Sequence, residues 1–301
     1  MGTVLESARF FVEQEKLVCA ICGTRNPVKD GYCQHCMAPL ELSRSIAARG
    51  APPRFLSVLG ASGAGKTVYL GMLLDILSKG YRGLNGFANG PFSVAVQQET
   101  IAALQMQRFP EKTPSEADHW KWVHCEIARG DRPNDCLDLV TPDLAGEAIA
   151  LEMEQPGTFE TIRVLVKKSS AFVALMDSVR ARDAGRDEDL FAMKLISYLS
   201  SIHAGTHKTK KRKLKMPVAL VFTKADLCPE ALTDPDQFAA SNLPGLLRLC
   251  QRNLANYKCF SVGVVGSSAS IADDHGNHVR IPLRVEPHGV VEPVEWLVQK
   301  V

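Results

Sequence analysis

Residues 60–67 read Gly-Ala-Ser-Gly-Ala-Gly-Lys-Thr, a glycine-rich run that ends in a lysine and a hydroxyl side chain. Glycines let backbone N–H groups converge on phosphate oxygens, while the lysine reaches the β- and γ-phosphates and the threonine hydroxyl binds Mg²⁺. Apolar runs at 55–59 and 68–77 predict the strand before and the helix after that this loop requires. We therefore predict a phosphate-binding loop. Its expected nucleotide contacts are Gly60, Ser62, Gly63, Ala64, Gly65, Lys66, Thr67 and Val68, and Lys66 is also expected to be catalytic.

A second phosphate-side motif, Asp143-Leu-Ala-Gly146-Glu147, follows the apolar run 136–141. Asp143 is expected to hold Mg²⁺ through a water, and the amide of Gly146 to contact the γ-phosphate. Glu147 can accept a hydrogen bond from the attacking water but, unlike a glutamine, has no N–H to donate to the phosphate. We therefore expect catalysis to involve Gly146 and Glu147, with slow turnover unless a partner accelerates it.

The polar, proline-containing loop at 108–116 is expected to fold over the γ-phosphate. A threonine there can place its hydroxyl on Mg²⁺ only when the γ-phosphate is present, so the loop would sense the triphosphate. Thr113 is the predicted metal ligand and catalytic residue. The alternatives are Thr100 in that role, or a threonine with no role beyond the loop.

The base is predicted from Thr223-Lys224-Ala225-Asp226, which follows the apolar run 218–222. The Asp226 carboxylate can accept from guanine N1–H and the 2-amino group, and the Lys224 stem can lie along the ring. This favours GTP, the alternative being a salt bridge at a strand end. A threonine at 223 is expected to lose an amide that would brace the phosphate loop. The run 259–265 predicts a further strand, after which Ser268 and Ala269 are expected to present a backbone N–H to guanine O6.

Cys19, Cys22, Cys33 and Cys36 form two CxxC pairs that are separated by ten residues. Each CxxC turn directs two thiolates at one ion, so this spacing predicts a zinc ribbon with a closed, structural Zn²⁺ site. A redox dithiol pair and an iron site are the alternatives. The other five of the nine cysteines are scattered, which favours a reducing compartment.

To form one site, these motifs must follow strands of one sheet that all end on the same side of it. Two polar-linked runs, 119–128 and 136–141, predict a hairpin, and the apolar runs 171–176 and 218–222 predict buried parallel strands. Helices are expected at 97–107 and 292–298. The predicted fold is a three-layer α/β/α domain with a mostly parallel sheet and one antiparallel hairpin strand. It would occupy residues 46–301, after a zinc ribbon and linker at 1–45.

Composition narrows the class of protein. The 301 residues carry a net charge of only +2, which argues against a dedicated nucleic-acid binder. Neither a membrane span nor a signal peptide is recognisable, so we expect a cytoplasmic protein. The basic run Lys208–Lys215 is expected to be a solvated loop or a docking site for an acidic partner or nucleic acid.

Taken in chain order, the motifs at 60–67, Thr113, 143–146, 223–226 and 268–269 resemble those of translation-factor-related (TRAFAC-type) P-loop GTPases over about residues 54–300. Four segments are similar to the bacterial double-GTPase-type domains of proposed conflict and defence systems: Gly-Lys66-Thr-Val-Tyr-Leu, Phe-Pro-Glu-Lys-Thr113, Asp143-Leu-Ala-Gly-Glu147 and Gly289-Val-Val-Glu-Pro-Val-Glu-Trp-Leu297. This resemblance implies a switch that acts beside a protein partner, an effector or a GTPase-activating protein. Arg180, Arg182 and Arg186 are candidates for an arginine finger within the chain.

The sequence thus predicts a Mg²⁺-dependent, GTP-hydrolysing molecular switch whose cofactors are GTP or GDP, Mg²⁺ and Zn²⁺. Two alternatives stay open: a non-hydrolysing scaffold that needs nucleotide and zinc only for its shape, and an ATPase coupled to nucleic acid. Nucleic acid could reach the protein through the ribbon or the basic run.

Overall fold

The computed structural model describes residues 15–111, 121–130, 136–143, 146–184, 186–203, 213–272 and 278–301. Its strands are β1 Lys16–Val18, β2 Arg25–Pro27, β3 Phe55–Gly60, β4 Leu84–Asn89, β5 Trp122–Arg129, β6 Cys136–Pro142, β7 Ser169–Asp177, β8 Leu214–Thr223, β9 Leu254–Ser261, β10 Gly263–Ala272 and β11 His278–His288. Its helices are α1 Leu40–Arg49, α2 Lys66–Ser78, α3 Pro91–Gln105, α4 Gly146–Glu154, α5 Glu160–Lys168, α6 Ser178–Asp183, α7 Arg186–His203, α8 Pro229–Thr233, α9 Pro235–Asn242, α10 Pro244–Asn253 and α11 Glu292–Val298. None of the helices in these segments is long and apolar enough to cross a membrane.

Seven strands form the central sheet in the order β4-β5-β6-β3-β7-β8-β9. Neighbours from β6 to β9 pair in parallel, and β5 pairs antiparallel with both β4 and β6. Only β5 therefore runs against the other strands. The predicted α/β class and the single reversed strand of the hairpin are confirmed.

The sheet is buried on both faces, which explains the continuous apolar runs of its central strands. Along β7, residues 171, 173 and 175 pack into a cluster with α2 and α11, while residues 172, 174 and 176 pack into a cluster with α4, α5 and α7. Strand alternation thus divides one apolar run between two helical layers. Because β3, β6, β7 and β8 are parallel, their carboxyl ends lie on the same side of the sheet.

The cysteine-rich module, β1 and β2 with the two CxxC turns, docks on the sheet through α1. Leu40 and Ile46 of α1 pack in one cluster with Phe55 and Trp122 of the sheet. The Arg49 guanidinium donates to both oxygens of the fully buried Asp138 at 2.7 and 2.8 Å. α1 crosses the predicted boundary between residues 45 and 46, which stays a prediction.

A polar group on the hairpin strands completes this contact. His124 Nε2 lies 3.2 Å from Asp138 Oδ1, and Ser45 donates to Glu126 Oε1 at 3.1 Å. His124, Glu126 and Asp138 are close enough together to suggest a metal site. Because the Arg49 guanidinium already occupies the carboxylate of Asp138, we interpret the group as a buried ion-pair network that joins α1 to the sheet.

Three elements differ from the sequence-based expectation. The glycine-rich stretch 79–91 contains an edge strand, β4, which the sequence did not suggest. The helix expected at 97–107 begins six residues earlier, at Pro91, whose ring suits the first turn of a helix. The strand expected at 259–265 is wrong, because the chain leaves the central sheet after Ser261 and continues as β10 in a separate hairpin with β11.

Candidate nucleotide-binding site

The loop between β3 and α2 has the conformation that a phosphate cradle needs. Gly65 adopts φ +76°, a left-handed conformation that favours glycine, and caps the N-terminus of α2. Lys66 Nζ donates to the carbonyls of Gly60 and Ala61 at 3.2 and 3.1 Å. Burial lowers the pKa of Lys66 to about 8, although the charges of Asp143 and Glu147 oppose this shift. The lysine thus lies in a desolvated position, and a bound phosphate would raise its pKa again.

The metal end of the site lies where β6 ends beside the start of α2. Thr67 Oγ1 donates to the two carboxylate oxygens of Asp143 at 3.1 and 3.2 Å. A hydroxyl and a carboxylate in contact are hard oxygen ligands that suit Mg²⁺, so these residues fit the expected ion. Thr100, by contrast, is fully buried, and its hydroxyl lies 3.5 Å from the carbonyl of Thr67. Thr113 lies outside the described residues.

The first residue of α4, Gly146, packs directly against the backbone of the phosphate loop. A Cβ atom at Gly146 would overlap the backbone nitrogen of Ser62, so only glycine fits at this position. The adjacent Glu147 accepts a hydrogen bond from Ser62 Oγ at 2.7 Å. The structure thus brings both predicted catalytic residues of this motif to the third residue of the phosphate loop.

At the base end, Thr223 donates its hydroxyl to the carbonyls of Ala64 and Met176 at 2.9 and 3.1 Å. Threonine lacks the amide, as expected, but its hydroxyl braces the phosphate loop at Ala64 instead. Lys224 has φ +57° and lies 2.5 Å from the carboxylate of Asp177. This ion pair fixes the Lys224 stem at the rim of the cleft.

Asp226 lies beneath the start of β10. A Cβ atom at Gly263 would stand 3.1 Å from Asp226 Oδ1, so the chain passes directly over the carboxylate. Burial raises the pKa of Asp226, while hydrogen bonds from backbone N–H groups and the charge of Arg280 lower it. Guanine N–H donors would stabilise the ionised carboxylate further.

One cleft of about 510 Å³ joins the phosphate, metal and base ends. Lys66, Thr67, Gly146 and Glu147 line one end, and Thr223, Lys224, Asp226 and Ser268 line the other. Phe109, Pro110 and Glu111 also line it, so the loop that was expected to cover the phosphates reaches the site. Ala269 is described but does not line the cleft; its predicted contact with guanine O6 stays a prediction.

Two lining features were missed from the sequence. β10 and β11 close the base end with Val264, Val265 and Arg280, whereas the sequence predicted one strand at 259–265 and no hairpin after it. The signal was the alternation of residues 279–285, Val-Arg-Ile-Pro-Leu-Arg-Val, behind the turn-rich residues 273–277. Arg280 adds a cation close to the predicted base-binding carboxylate.

The four cysteines of the ribbon come together away from this cleft. All four sulfurs lie within 4.8 Å of one another, with Cys19 to Cys36 at 3.6 Å and Cys22 to Cys33 at 3.4 Å. Four sulfurs placed about 2.3 Å from a tetrahedral zinc ion are separated by roughly 3.8 Å, so the cluster fits that ion. The hydrogen bond between Cys19 and Cys36 lowers the pKa of the Cys19 thiol and raises the pKa of the Cys36 thiol.

A comparison of the sequence with models of known protein families decides the family of this chain. The model of the family Double-GTPase 2 matches residues 54–280, three quarters of the chain and every described segment of the cleft. The chain belongs to this family. Among curated proteins, none matches the chain significantly.

Solved structures similar to this member of the Double-GTPase 2 family are GTPases of low sequence identity. The Arl6 BBS3 small GTPase from Trypanosoma brucei, with a bound nucleotide analogue, is 13% identical at a TM-score of 0.37, over 82% of this chain and 96% of its own. The Ski7 GTPase-like domain of S. cerevisiae, bound to GTP, is 16% identical at a TM-score of 0.44, over 85% of this chain and 51% of its own.

Proposed function

We propose that this protein binds GTP in the cleft and hydrolyses it to GDP and phosphate, as a Mg²⁺-dependent molecular switch. The observation that carries the proposal is that one cleft joins Lys66 and Thr67 to Thr223 and Asp226. Thr67 is in turn hydrogen-bonded to Asp143. Family membership makes GTP the expected nucleotide. Mg²⁺, when bound, neutralises charge on the β- and γ-phosphates.

Each residue has a role that follows from its position. The loop amides and Lys66 bind the phosphates, and Thr67 and Asp143 hold the metal through oxygen atoms. Asp226 selects guanine, since adenine lacks the paired N–H donors that its carboxylate accepts. Glu147, next to Gly146 and Ser62, is placed to accept a hydrogen bond from the attacking water.

We infer the switch from the chain segments that connect the phosphate and metal ends of the cleft. Asp143 directly follows β6, and β5 of the same hairpin follows the loop that contains Thr113. A γ-phosphate contacted by the amide of Gly146 would therefore order α4 and this loop together. We extend the proposal to a protein partner that binds the ordered form of α4 and this loop. The protein would act within a bacterial conflict, defence or signalling system. The ribbon, with a structural Zn²⁺, is proposed to dock a protein or nucleic acid.

Multiple-turnover phosphate release tests the proposal, with GTP and ATP each at saturating concentration and with Mg²⁺ present or removed by EDTA. We expect slow release from GTP with Mg²⁺, none from ATP, and none in EDTA. Tight GTP binding without release would favour the scaffold alternative. Equal release from ATP would favour the ATPase alternative and contradict the role of Asp226.

A further inference from the structure

Three arginines follow β7, and only one of them contacts the phosphate loop in the described structure. Arg180 Nη1 donates to the carbonyl of Ser62 at 2.9 Å. Arg182 instead pairs with Asp183 at 2.7 Å and donates to the carbonyl of Leu227 at 3.3 Å. Arg186, at the start of α7, is exposed. Geometry thus singles out Arg180 from three residues that the sequence could not distinguish.

The fold holds Arg180 in this place from two sides. Asp177 Oδ1 accepts from the backbone N–H groups of Val179 and Arg180, which starts α6 at the end of β7. On the side of α7, Glu188 Oε2 lies 3.4 Å from Arg180 Nη2. The Glu188 side chain is only 1% exposed, and burial raises its pKa, whereas the charge of Arg180 lowers it. A buried carboxylate needs a cation beside it, so Glu188 anchors the guanidinium.

Arg180 contacts the phosphate loop at Ser62, a residue that lines the cleft together with Gly146 and Glu147. Ser62, whose carbonyl Arg180 contacts, also donates its hydroxyl to Glu147 at 2.7 Å. Arg180 is thus connected to Glu147 through a single residue of the phosphate loop. Its side chain is 49% exposed, which leaves part of the planar, five-donor guanidinium accessible to a ligand.

We propose that Arg180 is an arginine finger supplied by the chain itself, which donates to the γ-phosphoryl group during hydrolysis. This inference rests on the proposed GTPase function and names a further catalytic residue for it. As the water oxygen bonds to the γ-phosphorus, the bond to the β–γ bridging oxygen breaks, and that oxygen keeps the electron pair. The water gives up one proton, so the products are GDP, inorganic phosphate and H⁺. A guanidinium at this place stabilises the charge that moves onto the bridging oxygen.

The test compares Arg180→Ala and Arg180→Lys with Arg182→Ala, a matched control two residues away on the same helix. We expect both Arg180 variants to lower the turnover number for GTP by about 10²-fold or more, since fingers contribute about 10³ to 10⁵. Arg182→Ala is expected to match wild type. Arg180→Lys keeps a charge beside Glu188, so it separates loss of the finger from loss of folding.

A second readout does not depend on turnover. GDP with aluminium fluoride imitates the planar phosphoryl group, and we expect wild type and Arg182→Ala to trap it while both Arg180 variants do not. GDP affinity should stay within about threefold in all four proteins, because the finger acts only on the transferring group. Glu188→Gln should weaken trapping partially, as expected of a positioning residue.

Two outcomes overturn this inference and are distinguishable. If wild type hydrolyses GTP and both Arg180 variants hydrolyse it equally fast, the finger is refuted while the proposed function stands. If wild type binds GTP but neither hydrolyses it nor traps aluminium fluoride, the hydrolytic function and the finger fall together.

Discussion

The four ribbon sulfurs come from residues between 19 and 36, whereas the cleft takes its side chains from segments spread between residues 62 and 280. Within the ribbon, three of the four cysteines are themselves buried core residues, accompanied by Ile21 and Ala38. In the cleft, hydrogen bonds inside the protein already hold Lys66, Thr67 and Thr223 in place. We therefore expect the ribbon to depend on a bound metal for folding, whereas the central sheet forms the cleft without a ligand.

This difference predicts that substitutions of zinc ligands affect only the ribbon and substitutions in the cleft affect only GTP binding. The largest effect is expected in the ribbon. Cys36→Ser removes one of four zinc ligands, so metal content should fall from about one Zn²⁺ per chain to nearly none. GTP affinity should change by no more than about twofold, because distant sites act additively. Metal analysis and calorimetry on the full chain measure both, and Cys250→Ala, a buried cysteine of α10, is the control. A large loss of GTP affinity would show that the two regions are one unit.

Deleting the ribbon is a more severe test than this substitution. The structure indicates at which residue the shortened chain should start. Removing α1 would leave the buried Asp138 without Arg49 and uncover Phe55 and Trp122. A chain that starts at residue 40 keeps these contacts. We expect it to bind GTP as the full chain does, which the linker boundary after residue 45 would not ensure.

Lys66→Ala should reverse the pattern, with the cleft affected and the ribbon intact. Loss of two charge-assisted hydrogen bonds to phosphate, each about 1.5 to 3 kcal/mol, lowers GTP affinity by about 10² to 10⁴-fold. Zinc content should not change. Lys79→Ala is the matched control, because Lys79 follows the same helix and its exposed ammonium pairs with Asp75 at 2.6 Å. Equal GTP affinity in both variants would contradict the phosphate assignment.

Asp226→Asn tests the base end of the cleft. An amide presents a donor where xanthine has a C2 oxygen, so preference should move from GTP towards XTP by about 10²-fold or more. Competition binding with GTP, XTP and ATP measures the change, and Asp183→Asn serves as the control. An unchanged preference would mean that the hairpin β10 and β11, not Asp226, selects the base.

The smallest predicted effect is on pH dependence. The pKa of Lys66 is about 8 in the ligand-free protein, and bound phosphate raises it, so binding takes up a proton above pH 8. GTP affinity should therefore fall as pH rises above 8, by at most about tenfold per pH unit. In Lys66→Arg the guanidinium stays charged, and the decline should be absent if this variant binds. The same decline in both proteins would assign it to another group.

The comparison also explains what the sequence could and could not predict. The phosphate loop and the Asp143 and Thr223 motifs each follow a predictable strand, and the ribbon cysteines lie in two local CxxC turns. The structure therefore brings the residues of each motif together, while their functional roles stay predictions. β4 was missed because it contains glycine and asparagine, which have low strand propensity. Its pairing with β5 overrides that propensity, and Gly86 allows close packing, since a Cβ there would stand 2.6 Å from Leu77 Cβ.

The base end was harder to predict for a different reason. Residues 259–265 are almost continuously apolar, and a periodicity argument cannot detect that the chain changes sheets within such a run. The change occurs at Val262, whose N–H still bonds to Phe222 while Gly263 begins β10. Arg280 reaches the cleft because it lies on β11 of this hairpin. The alternation of residues 279–285 indicates the strand but not its contact with the cleft.

Hydrogen exchange on the protein bound to GDP and to a non-hydrolysable GTP analogue tests the proposed switch most directly. If the γ-phosphate links Gly146 to the loop that contains Thr113, residues 108–116 and 146–154 should exchange more slowly with the analogue than with GDP. The ribbon, residues 15–39, should exchange equally in both states. Thr113→Ala should retain GDP binding and reduce the difference at 108–116. Identical exchange of the two segments in both nucleotide states would contradict a GTP-dependent switch.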